Sequence, residues 1–310
     1  MIDLVCLLII YLTQTNLLQL LTYVDLMPTQ PKANTHTFIT SDLVKQKNIN
    51  NQPIGIFDSG IGGLSIMHCI KQQLPHEDLL YVADTLNAPY GEKSAAFIQQ
   101  RVNEIADWFV EKNAKAIVVA CNTATVNAID QLRKTISIPV IGVEPAIKPA
   151  VNISQHKKVA ILVTKATAEN QRFLALVEQY KHNTEVYIQP CPGLVELIEH
   201  DKKNSADCKL LLTAYLQPLM AKGVDTIVLG CTHYPLVKEV ISDICGNDVV
   251  IMETALPVTE QLQRQLALHQ LINNTNTDGA TTFYSSKSCS TQQRLFSHIW
   301  QQPLSLHKFP

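Results

Sequence analysis

The sequence predicts an α/β fold of two pseudo-symmetric α/β domains, each with a central, mainly parallel sheet flanked by helices, and a site in the cleft between them. Three observations carry this reading. From residue 54 onward, short apolar runs alternate with amphipathic stretches, the β-α-β pattern of a parallel sheet covered on both faces. EKNAKAIVVACNT (111–123) aligns without a gap to AKGVDTIVLGCTH (221–233). A repeat on a scale of about a hundred residues is a domain duplication, too long for a solenoid unit. Finally, 310 residues with 46% hydrophobic content suffice for one large domain or two of ordinary size.

The elements follow in order. IGIFDSG (54–60) reads as a strand ending in a turn, and SIMHCIKQQL (65–74) has helical spacing. LLYVAD (79–84) is a strand, AAFIQQRVNEIADWFVEK (95–112) a helix, and KAIVVAC (115–121) and PVIGVEP (139–145) are buried strands. The second half repeats the plan. KVAILVT (158–164), VYIQPC (186–191), DTIVLGC (225–231) and VVIMET (249–254) are strands, with helices over ENQRFLALVEQY (169–180) and CKLLLTAYLQPLMAKG (208–223). Pro218 is expected to kink the last helix or break it in two. Residues 53–145 with 256–310 are expected to form the first domain and 146–255 the second.

Residues 1–52 are expected to lie outside this fold. The apolar runs 4–12 and 17–21 are interrupted by Gln14, Thr15 and Asn16, so no block reaches the about 20 residues of a membrane span. A secretory leader wants early positive charge, whereas Asp3 is the first charge and Lys32 the first lysine. The segment reads as an extension, with Met27 a rival start; a weak membrane-associated segment is the alternative. Residues 28–51 read as a polar linker.

Composition narrows the function. A formal charge of -2 gives no broad basic field for a phosphate backbone, which argues against nucleic acid as the main partner. The eight cysteines form no CxxC and no zinc spacing, so scattered thiols in a reducing compartment are expected. No metal or organic cofactor is signalled.

Four segments offer chemistry. Asp58-Ser59-Gly60-Ile61-Gly62-Gly63 joins a strand to a helix, and its amides could converge on an anion; a tight turn with Asp58 as cap is the ordinary alternative. Cys121-Asn122-Thr123 stands at a strand end before a helix, whose dipole lowers a thiol pKa and favours thiolate; a buried packing thiol is the commoner fate. Cys231-Thr232-His233 places a histidine two residues from a thiol, fit to exchange a proton with it, or else a capping turn. Tyr90-Gly91 lies in a Pro/Gly turn. Thr164 and Thr167 end the strand matching IGIFDS, and Glu199 is a helix carboxylate; their ordinary readings are loop polarity and surface charge. Ligands in open α/β sheets bind beyond the carboxyl ends of the strands, where Cys121 and Cys231 both fall. Two packing cysteines need not match in a duplicated fold; two thiols on opposite walls of a cleft would have to.

GIFDSGIGGLS, YVADTLNAPYG, ACNTAT, GVEPAIKPA and LGCTHYP together resemble bacterial glutamate racemases of the cofactor-independent aspartate/glutamate racemase superfamily, in order from about Pro53 to the FYSSKS region. The resemblance implies that Cys121 and Cys231 are the proton-transferring pair. It implies that Asp58, Glu199 and His233 assist them, and that Asp58, Ser59, Tyr90, Gly91, Asn122, Thr123, Thr164, Thr167, Thr232 and His233 bind substrate. It implies an enzyme that needs no cofactor, takes glutamate as its small-molecule substrate and makes D-glutamate for peptidoglycan in the bacterial cytoplasm. Cys121 would serve D-glutamate and Cys231 L-glutamate. Some extended members are activated by a peptidoglycan precursor; neither that nor a homodimer is decided by the sequence. Lys165-Ala166 stand where the family commonly has a glycine between the two threonines, and Glu253-Thr254 where it often has Asp-Ser.

The rivals are aspartate racemisation, a Cys231–His233 acyl-transfer dyad, and a binding module that has lost catalysis. Aspartate racemases usually have Thr-Glu after the second cysteine, where this chain has Thr232-His233. The dyad leaves Cys121 without a task, and the presence of both cysteines speaks against the binding module.

Overall fold

The computed structural model describes residues 49–310; the expectations for residues 1–27 and for nearly all of the 28–51 linker fall outside the described residues. Among the described residues ten strands form two sheets, and every strand pairing is parallel. The first sheet contains β1 (Ile54–Asp58), β2 (Leu79–Ala83), β3 (Ala116–Val119), β4 (Val140–Gly142), β9 (Thr281–Ser285) and β10 (Leu306–Lys308), in the order β10-β9-β2-β1-β3-β4. The second contains β5 (Lys158–Val163), β6 (Glu185–Pro190), β7 (Thr226–Leu229) and β8 (Val250–Met252), in the order β6-β5-β7-β8. The orders β2-β1-β3-β4 and β6-β5-β7-β8 are one topology written twice, which is the structural form of the repeat in the sequence.

The central strands β1, β3 and β7 are buried along their whole length, as strands covered on both faces must be. The β1–β3 and β5–β7 pairs are topological switch points: the chain leaves β1 towards β2 on one side and returns as β3 on the other. Loops leaving such strands diverge and open a crevice at the carboxyl edge. Asp58 ends β1 and Cys121 follows β3; Thr164 follows β5 and Cys231 follows β7. The fold thus sets four of the expected site residues at its two crevices.

Helix starts carry conventional caps: the side chains of Ser94, Asn170 and Ser205 accept hydrogen bonds from first-turn amides of Ala95–Glu111, Gln171–Lys181 and Ala206–Ala221. Pro218 does not break the last of these, which runs continuously from Ala206 to Ala221. It sits in the last turn, exposed, where the one bond forfeited is that to the Ala214 carbonyl and the buried face of Cys208, Leu212, Leu216 and Leu219 still packs. Strands β9 and β10 were not foreseen: TTFYS is half-polar and LHK only three residues long, too little for periodicity to register. Among the described residues no helix is long and apolar enough to cross a membrane.

Candidate active site

Cys121 is both the residue after a buried strand and the cap of helix Asn122–Thr135: its Sγ accepts the Ala124 N–H at 3.5 Å and donates to Ser59 Oγ at 3.7 Å. Cys231, at the equivalent place after β7, has its Sγ 3.9 Å from His233 Nδ1. The two thiols are 5% and 6% exposed and line one cavity. Ser59, Tyr90, Gly91, Asn122, Thr123, Thr164, Thr232 and His233 line it with them. Pro89 and Val195 complete the wall; sequence reasoning passed over both, because apolar lining residues carry no chemical signature.

The three other expected residues act from behind the wall. Asp58, fully buried, accepts the Gly60 N–H at 2.6 Å through Oδ1 and the Thr232 hydroxyl at 2.7 Å through Oδ2, joining the loop after β1 to the loop after β7. Thr167 closes a triangle of hydroxyls with Thr164 at 3.0 Å and Thr123 at 3.3 Å, the Thr123–Thr164 side being 2.9 Å. Glu199 is not a surface carboxylate: it is 10% exposed, and its Oε1 accepts from His233 Nε2 at 2.6 Å and from the Ile61 N–H at 2.8 Å.

That last bond changes the reading of the glycine-rich loop. The anion gathered by its backbone is a carboxylate of the protein itself. A Cβ on Gly60 would lie 1.8 Å from Glu199 Oε1, and one on Gly62 would lie 2.6 Å from His233 Nδ1. The glycines permit backbone contact with the opposite lobe.

Electrostatics overturn one expectation. Helix Asn122–Thr135 does offer Cys121 an amide, yet the thiol is held above its ordinary value. Burial is the largest cause, with the Asp58 charge second; the Ala124 amide and Ser59 hydroxyl pull the other way and lose. Burial also raises the Asp58 carboxyl, against the countervailing effects of His233, Thr232 and Gly60. For His233 burial acts downward, but the bonds to Cys231 and Glu199 and the charges of Glu199 and Asp58 outweigh it, so the imidazole is raised well above 6.5. The chamber therefore favours the protonated form of both the Cys121 thiol and the imidazole beside Cys231.

Asn122 Oδ1 is buried with no partner, while its Nδ2 donates to the Val143 carbonyl at 3.5 Å. A buried lone acceptor in a chamber wall is poised for a donor from a ligand. The enclosed space between the walls is about 10 Å³, room for about one water. A second cavity of about 790 Å³ is lined by Glu199 with Lys287, Arg294 and His298 among others, and contains neither thiol of the pair.

A third buried thiol stands close to the pair. Cys191 follows β6, 2% exposed, its N–H on the Val163 carbonyl at 2.9 Å, and the charge of Cys231 contributes to its environment. Burial pushes it up to about 12. Among the described residues no group of three or more His, Cys, Asp or Glu is arranged to hold a metal ion.

Two thiols at matching strand ends of a duplicated α/β fold line one chamber, and comparison with known proteins gives the class, a racemase. The chain belongs to the Asp/Glu/Hydantoin racemase family, whose profile matches residues 54–260. It is 41% identical over 259 residues to the glutamate racemase of Stutzerimonas stutzeri (strain A1501), covering 83% of this chain and 97% of that one. The crystal structure of glutamate racemase from Francisella tularensis in complex with D-glutamate superposes with a TM-score of 0.75 at 32% identity, over 84% of this chain and 98% of that one. The Escherichia coli glutamate racemase in complex with L-glutamate and activator UDP-MurNAc-Ala gives 0.74 at 29% identity, over 83% and 98%.

Proposed function

We propose that the chain interconverts L- and D-glutamate, with Cys121 and Cys231 as the two proton-transfer groups. The observation that carries the assignment is the pair itself: two buried thiols, one from each half of the duplication, lining one chamber. Glutamate is taken as substrate because the named relatives are glutamate racemases over nearly their whole length.

The α-proton of an amino acid is weakly acidic, and inversion requires removal on one face and delivery on the other. In the L-to-D direction Cys231, acting as the thiolate, takes the α-proton, and the C–H electron pair stays on the α-carbon. Cys121, held as a thiol, delivers its proton to the opposite face. The charged His233 steadies the thiolate of Cys231, and the ionised Asp58 takes the Cys121 proton when that thiol is to act as the base on D-glutamate. Asn122 Oδ1 accepts from the α-ammonium, and the hydroxyls of Thr123 and Thr164, braced by Thr167 behind them, hold the carboxylates with the Thr232 backbone N–H. Ser59, Tyr90 and Gly91 complete the substrate walls, and Glu199 holds His233 in register. The lobes are assigned as 53–145 with 256–310 and 146–255, with 1–52 outside the catalytic unit; the cytoplasm is the proposed location and peptidoglycan the destination of D-glutamate.

The deciding experiment turns L-glutamate over in D2O. With two bases, D-glutamate forms carrying solvent deuterium while the remaining L-glutamate carries almost none at early times; return of substrate hydrogen to product would indicate one base swinging between faces. Replacing either cysteine by Ala should abolish racemisation. With 3-chloroglutamate, loss of the α-proton expels chloride without reprotonation. Cys121→Ala should then act only on the L-configured α-carbon and Cys231→Ala only on the D. Elimination from both enantiomers by either variant would end the two-face assignment. Parallel assays with L-aspartate test the nearest rival. Adding UDP-MurNAc-Ala, the activator of the Escherichia coli relative, tests activation here; the cavity of about 790 Å³ is lined by Glu199, whose Oε1 bonds His233 of the thiol chamber, and this gives an effector a physical line to His233.

A further inference from the structure

The most heavily hydrogen-bonded carboxylate outside the thiol chamber is Asp84. It follows β2, is fully buried, and its own N–H donates to the Asp58 carbonyl at 3.0 Å. Its two oxygens accept from Asn87 Nδ2 at 3.0 and 3.0 Å, from the Tyr90 hydroxyl at 2.7 Å, and from Arg101 Nε and an Arg101 terminal nitrogen at 3.0 and 2.9 Å. Burial acts to raise this carboxyl, but the Arg101 and Tyr90 bonds prevail and hold it below its ordinary value. An ionised carboxylate taking a forked guanidinium and a phenol is a rigid fixture.

What it fixes is one wall of the chamber. Tyr90 is 1% exposed, its ring between Phe57 at 6.0 Å and Phe97 at 6.4 Å, with its only polar atom on Asp84. The next residue, Gly91, backs onto the opposite lobe so closely that a Cβ there would lie 2.9 Å from Thr164 Cβ. Thr164 in turn shares its hydroxyl with Thr123 and Thr167. Displacement of the Tyr90 turn therefore reaches the hydroxyl triangle through contact at Gly91.

We propose that Asp84 is a positioning residue: clamped by Arg101, it sets the Tyr90–Gly91 wall against Thr164 and so shapes the substrate end of the chamber. This rests on the glutamate racemase reading, and the test separates the two. Asp84→Asn keeps an acceptor but loses the charge that Arg101 clamps. It should raise KM for both enantiomers by about tenfold while kcat falls less than about threefold, the signature of lost uniform binding. Tyr90→Phe should do the same, and the double variant should be little worse than either single one, because both act through one bond. Hydrogen exchange should quicken in residues 85–92 of Asp84→Asn and not in β1 or β3. Faster exchange with an unchanged KM would overturn the proposal, leaving Asp84 as a loop staple. Additive effects of the two substitutions would also overturn it. If Asp84→Asn does not fold, Asn87→Ala and Tyr90→Phe leave the Arg101–Asp84 pair in place and carry the same KM and exchange tests. A wild-type protein inactive on glutamate, with exchange still quickened at 85–92 in Asp84→Asn, would sink the substrate reading and keep the wall.

Discussion

His233 touches three parts of the site at once, the Cys231 thiol, the Glu199 carboxylate and, by packing, the Gly62 backbone. Asp58 is the corresponding group on the Cys121 side, and its charge is a cause of that thiol's raised value. His233→Asn and Asp58→Asn should therefore change the primary isotope effects of α-deuterated L- and D-glutamate unequally, with rate losses in the general acid–base range of about 10²–10⁴-fold. If neither variant changes either isotope effect, the division of labour is wrong. The pH profile has a worked sign. Asp58 must shed its proton to act, so kcat/KM should fall as pH drops through a value above the ordinary 3.8. His233 must keep its proton, so activity should fall as pH rises through a value above 6.5. Its folded value is raised, so the stability it contributes is fully present below 6.5 and lost as pH climbs through the folded value. Melting temperature should decline on that alkaline limb, and His233→Asn should flatten the decline. Residue identities at strand ends were legible in the sequence, both thiols included. Ionisation was not: the Cys121 expectation weighed the local helix and missed the desolvation that only the assembled lobes impose.

At the scale of elements, the alternating strands and long helices were readable because each has its own period. Glu199 shows where reading stopped: a carboxylate on a six-residue helix has no sequence mark that distinguishes a wet one from one hydrogen-bonded to a loop 138 positions away. Pro218 shows the reverse error, a local rule applied without its position in the helix. Pro218→Ala restores a donor for the Ala214 carbonyl at an exposed site. It should stabilise the protein by about 1 kcal/mol, less than the about 3 kcal/mol of a mid-helix proline because the last turn already accommodates it. An unchanged or lower melting temperature would contradict this. The turn after β1 gives a sharper test. Gly60→Ala drives a methyl into the Glu199 carboxylate and should cut kcat/KM by more than 10²-fold, as expected for a misplaced catalytic constellation. Gly223→Ala, strained at φ 77° but remote from the chamber, should destabilise without comparable loss of activity per folded molecule.

For the whole molecule, the duplication was the most informative feature of the sequence, since it predicted which strand ends would face each other. It did not extend to β9 and β10, which have no counterpart in the second sheet. Every proposed site residue lies after position 53, so a chain begun near Met27 or Asn50 should retain racemase activity; a folded but inactive truncation, with or without UDP-MurNAc-Ala, would make the early residues part of the catalytic unit. The near absence of free space between the two thiols has a consequence for chemical labelling. Among the described cysteines only Cys289 is exposed, while Cys121, Cys191, Cys208 and Cys231 are buried. An alkylating reagent should modify Cys289 at once and reach Cys121 and Cys231 only during excursions in which the lobes part. The lag between those modifications, resolved by peptide mass mapping, is a clock for opening. A saturating dead-end ligand should slow it, and Gly60→Ala, which wedges the lobes, should speed it.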